Sequence, residues 1–67
     1  MHPSITHILQ FFECSHLPQR LREVAYEFRV LAHDVAAQSN NAETTVALRK
    51  LLEAKDAAVR AVLAKEV

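Results

Sequence analysis

Hydrophobic positions recur every three or four residues along most of this chain, and the breaks in that rhythm divide it into three helical pieces. In the last piece, Leu51, Leu52, Val59, Val62 and Leu63 all fall within about 60° of Leu48 on a wheel of 100° per residue. Lys55 falls near the middle of this greasy stripe. The back of the same helix carries Val46, Ala54, Ala57, Ala61 and Ala64 where a solvent-facing helix would carry charge. In the middle piece Leu21, Val24, Phe28, Leu31 and Val35 form one apolar stripe, with Ala25 and Ala32 beside it. Its polar remainder is sorted by sign. Arg22, Tyr26, Arg29 and His33 lie on one flank, and Glu23, Glu27 and Asp34 on the other.

These patterns predict a helix over about 18–37, with Pro18 in its first turn, where a missing N–H costs nothing. The polar run "QSNNAE" predicts a turn over 38–41, and Asn40 with Glu43 reads as a capping-box variant opening a helix over about 42–65. Arg49 with Glu53, and Asp56 with Arg60, have the i, i+4 spacing of helical ion pairs. Residues 1–16 form an N-terminal arm in which Ile5, Ile8, Leu9 and Phe12 mark a short helix behind a Ser4 cap. A helix of about ten residues is unstable alone, so it must lie on its own chain or on a neighbour. The expectation is an all-α fold: the arm, then an antiparallel two-helix hairpin over 17–67.

Chain length adds a further expectation. A 67-residue chain buries only about 60% of the surface it exposes when unfolded, so a lone monomer would be marginal. Cys14 is the one cysteine, which removes an intrachain disulfide as a remedy. Assembly into a symmetric oligomer is the remedy that remains. The alanine-rich back of the last helix then has two readings, plain helix propensity or close approach of a second subunit.

Eight basic and eight acidic residues cancel, which argues against a duplex-DNA binder held by many phosphates. A local basic cluster for a small anion remains compatible with that balance. No apolar run reaches the length of a membrane span, and the N-terminus lacks the basic start and cleavage site of a signal peptide. With no glycine, a phosphate-cradling Gly-rich loop is ruled out.

His2, His7, Cys14 and His16 crowd the arm, but their spacing matches no zinc pattern, so no metal or cofactor is expected. Cys14 and His16 lie two apart with no orienting acid in evidence, so no catalytic residue is expected either. The strip Arg22, Tyr26, Arg29, His33 offers guanidinium donors for phosphate and an aromatic face for a base. It reads also as a solvated flank or as a set of intersubunit salt bridges. Lys55 either lays its stem on apolar surface and sends its ammonium to water, or meets an anion at a seam. Lys55 and Arg60 leave the helix about 140° apart, so one helix cannot aim both at a single ligand, and if both bind they serve different pockets or different protomers. Of Phe11 and Phe12, one could stack on a base if the other is buried.

The order of these features resembles a known family. An N-terminal phenylalanine and "HLP" lead into a helix containing "YEFRVLA", and a polar break opens "AETTVALRKLLEAKDAAVRAV". Over roughly residues 12–64 this resembles the phage anti-CBASS sponges and the related hairpin domain of Thoeris anti-defence sponges. The resemblance implies helical hairpins assembled into oligomers, often hexamers, that hold cyclic di- or trinucleotides or cyclic ADP-ribose isomers between protomers without cleaving them. It implies phosphate binding by Arg60 and Arg29 and an N-terminal aromatic at Phe12. Beside these we place Lys55 as a phosphate or seam contact, with Phe12, Tyr26 and His16 as stacking or pocket residues. Cys14 and Ser15 stand where relatives often carry tyrosine and histidine, and Ala64 where some carry a second arginine. The setting implied is the host bacterial cytoplasm.

Overall fold

The computed structural model describes residues 1–64. All of its regular elements are helical: α1 over Pro3–Leu9, a 3-10 turn over Gln10–Phe12, α2 over Gln19–Gln38 and α3 over Ala42–Leu63. The expected end of the last helix at residue 65 lies outside the described residues.

Local chemistry accounts for the starts of the helices, with three corrections to the expected caps. Pro3 occupies the first turn of α1, but the cap is His2, whose Nδ1 accepts the Ser4 N–H at 3.1 Å. Ser4 instead turns its hydroxyl outward, 3.2 Å from the hydroxyl of Thr45 on α3. Pro18 sits just before α2 rather than inside its first turn. The capping box of α3 is one residue later than expected. Asn41 Oδ1 accepts the Thr44 N–H at 3.1 Å, and the Asn41 N–H donates back to Thr44 Oγ1 at 3.3 Å. Threonine at the third helical position reaches back as glutamate would. It is also buried and bonded to Ser39, 2.6 Å away between hydroxyls. Asn40, freed from capping, accepts the His2 N–H at 2.8 Å and ties the arm to the turn.

The two long helices pack along each other. Ser39 at the end of α2 meets Thr44 at the start of α3, while Arg20 in the first turn of α2 donates to the carbonyl of Val62 at 2.9 Å. The arm lies on its own chain. Ile5, Ile8 and Phe12 enter one core with Ala32, Ala36 and Leu48. Full burial of a side chain the size of Ile5, Phe12 or Leu48 contributes about 1.5–3 kcal/mol, which is why a seven-residue helix holds here.

The presence of the arm also corrects the expected stripe of α2. Its buried line is Ala25, Ala32 and Ala36, with Phe28 and Val35 at the margin, whereas Leu31 is 48% exposed. Small side chains sit where α1 and α3 both approach α2, so the core axis turns from the bulky stripe towards the alanines. Leu31 lies about 160° around α2 from Arg29, the residue that faces the arm, and so points away from it. The molecule measures 41 × 23 × 16 Å, only about two helices thick, so a flank not covered by the arm has no further layer to bury it.

Candidate functional site

The bend between the 3-10 turn and α2, residues 13–18, brings the arm against the flanks of both long helices. Two cavities open there. The larger, about 420 Å³, is lined by Phe11, Glu13, His16, Lys55, Asp56 and Arg60, with Gln10, Leu17 and Val59 completing it. The smaller, about 280 Å³, is lined by Glu13, Cys14, Ser15, Arg22, Tyr26 and Arg29. Glu13 belongs to both.

Lys55 shows why it sits in a greasy stripe. Its side chain is 15% exposed, its stem lies along the leucine face, and its ammonium meets Asp56 Oδ1 at 3.0 Å at the mouth of the larger cavity. The expected i, i+4 pairs are replaced. Asp56 takes Lys55 rather than Arg60, and Glu53 takes Lys50 at 3.9 Å rather than Arg49. Exposed helical pairs are each worth only a few tenths of a kcal/mol, so the half-buried Lys55, aimed by its packing, decides which carboxylate is occupied. Arg60 is then left without a salt bridge among the described residues, beside the same cavity.

Lys55 and Arg60 therefore line one cavity, contrary to the divergence read from the wheel. The cavity wraps over the flank of α3 across Asp56 and Val59, and both side chains reach its rim from opposite sides. Arg29 and Tyr26 share the smaller cavity, with Tyr26 53% exposed. Arg29 Nε stands 3.8 Å from Glu13 Oε2. His16 falls in the larger cavity as an exposed ring.

Phe12 is the site residue that the structure removes. It is 1% exposed and sits in the core, so it cannot offer a face to a ligand in this conformation. Phe11 takes the outward position, 50% exposed, packed edge-on against His7 with centroids 5.5 Å apart. Phe12, four residues after Ile8, continues the inward face of α1 into the 3-10 turn, which leaves Phe11 over α3.

Glu13 was not singled out by the sequence. Its Oε1 accepts the N–H groups of Cys14 and Ser15, each at 3.1 Å, closing the bend. The backbone and hydroxyl of Ser15, then the Cys14 N–H and the Arg29 guanidinium, hold its carboxyl below the usual glutamate range. The available signal was an acidic residue followed directly by two free N–H groups at a helix break. Cys14 itself is buried. Among the described residues no group of three or more His, Cys, Asp or Glu could hold a metal, and no helix is long and apolar enough to cross a membrane.

The fold and site thus define a small all-helical protein with two cavities that share Glu13, one holding Lys55, Arg60 and Asp56 beside Phe11, the other Arg22 and Arg29 beside Tyr26. No protein-family model, curated protein or solved structure matches this chain.

Proposed function

We propose that this protein is a phage anti-defence sponge, binding cyclic oligonucleotide or cyclic ADP-ribose-type immune messengers and holding them without cleavage. The observation that carries the reading is the larger cavity, where Lys55, Arg60 and His16 converge beside the exposed ring of Phe11. Cationic donors suit phosphate, and an aromatic face suits a base, whatever the base sequence. The Arg29, Arg22 and Tyr26 cluster next to it repeats the same chemistry on α2. The larger cavity, at about 420 Å³, lies in the range of small-molecule sites, while the open shape of both cavities fits completion by a second protomer.

The protomer in this reading is an antiparallel hairpin with its arm, assembled into a symmetric oligomer in the host bacterial cytoplasm, a hexamer by the resemblance. The exposed alanine back of α3 and the outward Leu31 supply surface for that assembly. Arg60, Arg29 and Lys55 bind phosphate. Tyr26 and His16 line the pocket, and Phe11 takes the stacking role first given to Phe12. No group is assigned a bond-breaking step.

A second reading, a helical assembly or adaptor module without a small-molecule ligand, is favoured by the apolar surface alone: Leu31 at 48%, Val46 at 40% and Leu63 at 60% exposed. Thermal shift against a panel of cyclic di- and trinucleotides separates the two. The sponge is stabilised by at least one member and returns it intact after denaturation. The adaptor shows no shift across the panel. Arg60→Ala should weaken binding about tenfold or more, as expected for loss of a charged hydrogen bond, and leave the oligomer mass unchanged. Dissociation of the assembly in that variant would make Arg60 structural instead.

A further inference from the structure

We propose that Glu13 is a built-in anion that holds the place of ligand phosphate beside Arg29, so that binding in either cavity it lines requires its carboxylate to be displaced or its charge to be overcome. The inference rests on reading the cavities as phosphate sites, and adds how their occupancy is controlled.

Three observations meet at this residue. Glu13 lines both cavities and is thus the wall between the Lys55–Arg60 cluster of α3 and the Arg22–Arg29 cluster of α2. Its two oxygens have separate tasks. Oε1 is committed to the N–H groups of Cys14 and Ser15, which already closes the bend, so the bend does not require Oε2 to face Arg29. That second oxygen stands 3.8 Å from Arg29 Nε, near enough to neutralise the guanidinium and too far for a tight hydrogen bond. Both side chains are well exposed, at 37% for Arg29 and 53% for Glu13, so the pair is weak and readily exchanged for a better anion.

The same bond pattern that closes the bend keeps Glu13 ionised through the neutral range. A phosphate entering either cavity therefore meets a fixed like charge at the shared wall. Asp56, paired with Lys55, adds a second carboxylate to the larger cavity, so ligands with more phosphates, which gain more basic contacts against these fixed charges, are favoured over single-phosphate nucleotides. A carboxylate of this kind limits affinity for abundant mononucleotides without blocking a ligand that spans both clusters.

Glu13→Gln is the informative substitution, because glutamine retains an oxygen for the Cys14 and Ser15 N–H groups and removes only the charge. The probe is inorganic pyrophosphate, titrated by calorimetry into wild type, Glu13→Gln, Arg29→Gln and the double variant. Glu13→Gln should bind pyrophosphate about two- to five-fold more tightly, the size expected for one exposed charge. Arg29→Gln should bind it more weakly, and the double variant should lose most of the gain, showing that the two groups are coupled. Equal or weaker pyrophosphate binding by Glu13→Gln, or no binding by any of the four proteins, overturns the proposal. A parallel titration of wild type with the panel of cyclic di- and trinucleotides reports on the sponge reading separately. Gain with pyrophosphate but no binding of cyclic di- or trinucleotides would sink the sponge and leave the role of Glu13 standing.

Discussion

Phe11 and Phe12 are adjacent in sequence and opposite in fate. One ring is half exposed at the rim of the larger cavity, the other is 1% exposed in the core. Truncating them should separate stability from binding. Phe12→Ala removes a filled core position and should cost about 3–5 kcal/mol, enough to unfold a marginal protein of this size. Phe11→Ala should stay within about 1 kcal/mol of wild type and weaken ligand binding. Urea denaturation of the two variants checks the first statement, and thermal shift with ligand the second. The i, i+3, i+4 spacing did place Ile5, Ile8 and Phe12 on one inward face. The family resemblance nonetheless put the aromatic contact on Phe12, the ring that this same face carries into the core, and not on the exposed Phe11. Glu13 was harder still. Its importance comes from Arg29 and Lys55, one across the bend and the other on a different helix, and nothing in the residues beside it announces those neighbours.

At the scale of elements, the two long helices and the break between them follow from periodicity and turn chemistry. The boundaries at Gln19–Gln38 and Ala42–Leu63 fall close to those expected. The register of the cap does not follow as simply, because Asn40 and Asn41 are both good caps and both have a suitable residue three positions on. Tertiary contact decides: Asn40 is drawn to the His2 N–H, leaving Asn41 to Thr44. Asn41→Ala should therefore cost about 1 kcal/mol of stability across the whole molecule. Asn40→Ala should chiefly loosen the arm, read as faster amide hydrogen exchange in α1 with little change in α3. Equal effects of the two substitutions on α3 would place the cap elsewhere. Leu31 gives the same lesson for packing. Its spacing matched the stripe of α2, but the arm occupies one side of the groove and draws the core towards Ala25, Ala32 and Ala36.

At the scale of the whole molecule, the near-zero net charge hides a local arrangement. Basic groups from α2 and α3 are gathered on the flanks that meet the arm, and apolar groups such as Leu31 remain on a flank the arm does not reach. On the proposed reading, the first side is where small anions bind and the second is where protomers meet. The proposed assembly would cover the apolar flank of this two-helix-thick slab and give its open cavities a second wall. The most direct single measurement is native mass spectrometry of the purified protein mixed with cyclic di- and tri-adenylate. The sponge reading predicts a multi-protomer assembly carrying whole-number additions of ligand at unaltered mass. A ligand-free species at ligand excess, or additions matching a cleaved product, would contradict it.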